Sequence, residues 1–131
     1  MLNLDTHILL SAWAGQLTRH ERRLLAEDQW SISAIVLWEM AKLSQLGRIV
    51  LDVDSPEVAQ ALAQIHVWPL DLAVCRGACR LDFRGDPADE IIAATSLVHN
   101  VPRVTRDRVI RSSNFAVTYT EPVPQSARRG Y

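Results

Sequence analysis

Four acidic side chains stand at places where chemistry, rather than solubility, could account for them. Asp5 closes the short apolar segment Met1 to Leu4, and Asp107 follows the extended "VPRVT". Asp89 belongs to "GDPADEIIAATSL", where three acids fall within five residues just ahead of an apolar run. Glu39 stands in "SAIVLWEMAKL" with Ile35, Val36 and Leu43 as its helical neighbours and Lys42 as its one basic candidate. An exposed Glu39–Lys42 pair would contribute only about a few tenths of a kcal/mol. Burying that carboxylate alone would cost several kcal/mol or force its protonation, so a cation is expected nearby.

Carboxylates gathered in one crevice repel and raise one another's pKa values unless a cation is bound. Oxygen donors without His or Cys at ligand spacing point to Mg²⁺ or Mn²⁺, which take a few carboxylates, keep several waters and accept substrate phosphate oxygens. Phosphodiester hydrolysis is the chemistry that needs this arrangement. One ion makes a nucleophile of bound water, and a second, about 4 Å away, steadies the leaving oxygen. No Ser/His/Asp or Cys/His pairing competes for the role of nucleophile.

Each acid also has a plainer reading. Asp5 suits the N-cap of a helix beginning at Thr6. Asp86, Pro87 and Asp89 together make a good helix start, with Asp86 at the cap, Pro87 at the first helical position and Asp89 able to reach back as in a capping box. Asp107 suits a turn or cap. Ser33 and Thr105, at strand ends, can orient a ligand or serve as cap and turn hydroxyls. Thr6, next to Asp5, and Asp86 are supporting candidates. Arg84, Arg106 and Arg108 flank Asp89 and Asp107 and could hold a scissile phosphate, beside the plainer reading of solvated surface arginines. His7, His20, His66 and His99 show no ligand spacing. Trp13, Trp30, Trp38 and Trp68 read as core or interface rather than as stacking platforms.

The elements that must position these residues alternate in type. Strands are expected at Met1–Leu4, Trp30–Ser33, in "HVWPLD", in "VPRVT" and at Phe115–Thr120. Helices are expected from Thr6 to a stop at Gly15, over Arg19–Asp28, from Ala34 to about Leu46, from a Ser55-Pro56 start to Ile65, over Leu72–Leu81 behind an Asp71 cap, and over Pro87–His99. Short strands alternating with such helices predict an α/β fold, a mostly parallel sheet covered by helices. Ligands of such sheets bind beyond the carboxyl ends of the strands, which is where Asp5 and Asp107 fall.

The 131 residues, 48% of them hydrophobic, suit one domain over 1–120 with a flexible tail over 121–131. No apolar run approaches the roughly 20 residues of a spanning helix, and the opening "MLNLDTHILL" lacks the positive charge of a signal peptide, so a cytoplasmic protein without membrane attachment is expected. Net charge is −1, yet past position 100 six arginines face only Asp107 and Glu121. Cys75 and Cys79 lack a partner pair of metal-ligand spacing and read as buried or half-buried free thiols.

"LNLDTHILL", "SISAIVLWEMAKLSQLGRIVLD", "GDPADEIIAATSLVHN" and "VTRDRVI", in this order and spacing, resemble the PIN-domain ribonucleases, and within them the VapC-like toxins of toxin–antitoxin modules. The likeness runs from about Met1 to Thr120. It implies a PIN-like three-layer fold, metal-binding catalytic acids at Asp5, Glu39, Asp89 and Asp107, and supporting hydroxyls at Thr105 and Ser33. It also implies Mg²⁺- or Mn²⁺-dependent endonucleolytic cleavage of RNA, a homodimer, and inhibition by a VapB-like antitoxin inserting a segment near the acids. Glu90 departs from the pattern, since many relatives carry a basic residue after the acid at position 89.

Three other readings place acids similarly. A haloacid-dehalogenase-type phosphatase needs a second Asp where His7 stands. A receiver domain needs a Lys late in the sheet, and Lys42 is the sole lysine. A PIN-like scaffold that binds RNA or a protein without cutting would not require all four acids.

Overall fold

The computed structural model describes residues 1–106. Asp107, Arg108, the expected strand Phe115–Thr120 and the expected tail 121–131 lie outside the described residues. In chain order the elements are β1 (Leu2–Leu4), α1 (Thr6–Trp13), α2 (Arg19–Ala26), β2 (Trp30–Ser33), α3 (Ala34–Gln45), α4 (Pro56–Ala63), β3 (His66–Trp68), α5 (Leu72–Ala78), α6 (Pro87–His99) and β4 (Arg103–Val104). The type of every expected element within this range agrees with the sequence reading, and the differences are at the ends.

Those ends follow local chemistry. Asp5, Thr18, Ser33, Ser55, Asp71 and Asp86 each cap a helix by accepting a hydrogen bond from a backbone N–H of its first turn. Thr18 and Glu21 complete a reciprocal capping box on α2. That helix stops at Ala26, short of Asp28, whose carboxylate holds the Met1 amino group at 2.6 Å. α5 stops at Ala78, short of the expected Leu81, and Leu81 instead joins Phe83 and Ala93 in a small second core. α6 ends at Asn100, which takes up the left-handed conformation (φ 53°) and donates its N–H to the Ser96 carbonyl.

All strand pairings are parallel, in the order β3-β2-β1-β4. β1 is central and wholly buried, as expected of a strand covered on both faces. The side-chain amide nitrogen of its one polar member, Asn3, donates across the layer to the Ile92 carbonyl at 3.1 Å and to Ser96 Oγ at 2.8 Å, locking β1 against α6. Leu4, Ile8, Leu9, Ile32, Val36, Met40, Ile92 and Val104 form the main core between the sheet and its helices.

From β1 to β2 to β3 the chain moves outward on one side, and it then returns to place β4 on the other side of β1. The order therefore reverses between β1 and β4, which is where ligands of open α/β sheets bind.

The cysteines differ from expectation. Cys75 and Cys79 are both exposed, because α5 turns Val74 and Gly77 inward against α6 and leaves the next positions facing water. Among the tryptophans, Trp13 and Trp30 pack at the rim of the core, Trp68 stacks on His99, and Trp38 is 58% exposed.

Candidate active site

Asp5 leaves the carboxyl end of β1 and sits at the reversal point. The Asp5 N–H reaches the Val104 carbonyl of β4 at 3.4 Å, and Oδ1 accepts the Ile8 N–H at 3.0 Å. The capping reading and the site reading are thus both satisfied: one oxygen starts the helix and the other, Oδ2, lies 3.8 Å from Arg103 Nη2.

Nothing in the sequence singles out Arg103. It lies in β4 beside Asn3 and is completely buried. Nη2 is 3.4 Å from Asp89 Oδ1, and Nη1 donates to the Asp89 carbonyl at 3.2 Å. Asp89, in the first turn of α6, therefore turns toward the sheet edge and Asp5, while Asp86 caps the helix through the Ala88 N–H at 2.9 Å. Glu90 turns back to accept the Gly85 N–H at 3.1 Å.

Glu39 reaches the same region from the second turn of α3. Thr6 Oγ, one residue past Asp5, donates to Glu39 Oε1 at 2.5 Å. Burial pushes the Glu39 carboxyl above its ordinary pKa, and the negative charges of Asp89 and Asp86 push the same way; the Thr6 hydroxyl and nearby His7 oppose them in part. Asp5, Glu39 and Asp89 thus form one neighbourhood, bridged by Thr6 on one side and Arg103 on the other.

The remaining candidates take structural partners. Ser33 Oγ accepts the Ile35 N–H at 3.4 Å as the cap of α3, and Thr105 is buried at the end of β4. Arg84 donates to the carbonyls of Leu81 and Phe83, both at 3.1 Å, which folds it onto its own loop. Arg106 makes a two-pronged pair with Glu21 of α2, at 2.8 and 2.6 Å, and this holds the Glu21 carboxyl down to about 2. Glu21 was not legible as part of this rim because its partner Arg106 lies 85 residues away in sequence.

The donor set suits a hard divalent cation, because every acid in it offers oxygen, and burial together with the charges of Asp89 and Asp86 makes the unmetalled Glu39 carboxylate unfavourable. Among the described residues no three His, Cys, Asp or Glu side chains stand close enough to cage a metal ion. Mg²⁺ does not need such a cage, since it binds through one or two carboxylates and keeps its waters. The residues present therefore fit the ion.

Residues 3–115 match the model of the PIN domain. The chain belongs to the PIN-domain family. It is 33% identical over 122 residues to Ribonuclease VapC22 of Mycobacterium tuberculosis, covering 83% of this chain and 88% of that protein. Solved structures share the PIN fold at lower identity. A toxin-antitoxin complex from Klebsiella pneumoniae matches with TM-score 0.63 at 20% identity, over 82% of this chain and 87% of that one. VapBC2 from Rickettsia felis, bound to a promoter DNA fragment, matches with TM-score 0.64 at 18% identity, over 91% and 98%. FitAcB from Neisseria gonorrhoeae matches with TM-score 0.57 at 22% identity, over 82% and 88%.

Proposed function

We propose that this PIN-domain protein is a Mg²⁺- or Mn²⁺-dependent endoribonuclease, the toxin of a toxin–antitoxin pair. The observation that carries the reading is the meeting of Asp5, Glu39 and Asp89 where the strand order reverses. The named ribonuclease relative gives the substrate class, and the toxin–antitoxin complexes among the structural neighbours give the biological setting. A small VapB-like antitoxin is the partner this reading requires, with a homodimer as the working assembly and the cytoplasm as its place. No helix among the described residues is long and apolar enough to cross a membrane.

A bound divalent ion would supply an activated water and offset the charge that builds on the phosphate. The protein's part is to hold oxygen donors in place before substrate arrives. Asp5 is fixed by the Ile8 N–H on Oδ1, with Oδ2 3.8 Å from Arg103. Thr6 pins Glu39 through Oε1 and so fixes the carboxylate before an ion arrives. Asp89 is half-exposed and offers the cluster its access to solvent and RNA. Asp107, two residues past the buried Thr105, completes the proposed set.

RNA cleavage with Mn²⁺ and with chelator tests the reading. Wild type is expected to cut only with the ion, and Asp5→Asn and Asp89→Asn to lose roughly 100-fold or more in rate. Cutting in excess chelator, or undiminished cutting by both variants, would reject it.

A further inference from the structure

A fully buried arginine in a sheet strand is costly unless its charge is matched. Arg103 is 0% exposed, and its guanidinium lies between the Asp5 and Asp89 carboxylates, at 3.8 and 3.4 Å, while also donating to the Asp89 main chain. Its position is not adjustable: β4 pairs with β1 so that Arg103 lies beside Asn3, and Asn3 is itself bonded into α6, the helix that carries Asp89. We propose that Arg103 is a built-in counter-cation and positioning residue, holding Asp5 and Asp89 together as a pair whether or not a divalent ion is present. The inference rests on the proposed carboxylate site but not on its catalysing anything.

The guanidinium has two effects on that site. It offsets repulsion that would otherwise push the two acids apart, so the donors stand ready before an ion arrives. Being fully buried, it also closes the inner side of the pair, which leaves the exposed part of Asp89 as the side open to an ion.

Melting of the metal-free protein in chelator, for wild type, Asp89→Asn, Arg103→Met and the double variant, tests this by the sign of the coupling. In wild type, Asp89→Asn removes a partner of a buried charge and is expected to lower the melting temperature by roughly 5 °C. In the Arg103→Met background the same change removes repulsion and is expected to raise it. Mn²⁺ is expected to raise the melting temperature of Arg103→Met by more than that of wild type. A change in helix-end charge alone would shift both backgrounds alike, and equal shifts in both would overturn the proposal. If Arg103→Met does not fold, recovery of a cooperative melt in the double variant supports the proposal, and a double variant equally unfolded overturns it. No RNA enters this cycle, so a wild type that fails to cut RNA would sink the ribonuclease reading while leaving the coupling standing.

Discussion

Thr6 and Glu39 meet across 33 residues of chain through one hydrogen bond, and the carboxyl it steadies is the one whose pKa is raised. A carboxyl with a folded-state pKa above its unfolded one binds its proton more tightly when folded, so it opposes folding increasingly as pH rises through that folded value. At neutral pH without metal, Glu39→Gln is therefore expected to raise the melting temperature while abolishing cleavage, a combination that scanning calorimetry and an RNA assay would register together. Thr6→Val removes the hydroxyl that favours the charged form. The acid limb of its pH–rate profile is expected to move to higher pH than that of wild type, whereas an unmoved limb would mean that Thr6 does not act on Glu39.

At the scale of elements, α2 is tied to the end of β4 by Glu21 and Arg106, residues 85 apart in sequence. The hydrogen bond from Arg106 is the largest influence on the Glu21 carboxyl, which is held from its ordinary 4.5 down to about 2. A depressed carboxylate pKa gives stability that is present above 4.5 and fades as pH falls toward about 2. Glu21→Gln is expected to flatten the loss of stability across that window, read as denaturant midpoints at stepped pH. The helix starts were legible in the sequence because capping is local: Asp86-Pro87 and Ser55-Pro56 announce themselves within a few residues. Arg103 and the Glu21–Arg106 pair were not, because their meaning comes from which strand lies beside which. The outward face of Cys75 and Cys79 was hidden for a similar reason, since it depends on Gly77 letting α5 approach Val98 and Ala94 of α6.

For the whole molecule, function follows from topology. Reversing the strand order at β1 puts the residue after β1 next to the end of β4, and it brings the starts of α1 and α6 to one edge. The sequence alone placed Asp5, Glu39 and Asp89 at element ends and in an early helical turn; the order β3-β2-β1-β4 is what makes them neighbours. The central claim is that these oxygens hold a divalent ion, and it is tested most directly by titrating Mn²⁺ into the RNA-free protein by calorimetry. Wild type is expected to bind, and Asp5→Asn and Asp89→Asn to weaken that affinity at least about tenfold each, while binding by both variants as tight as that of wild type would contradict the account.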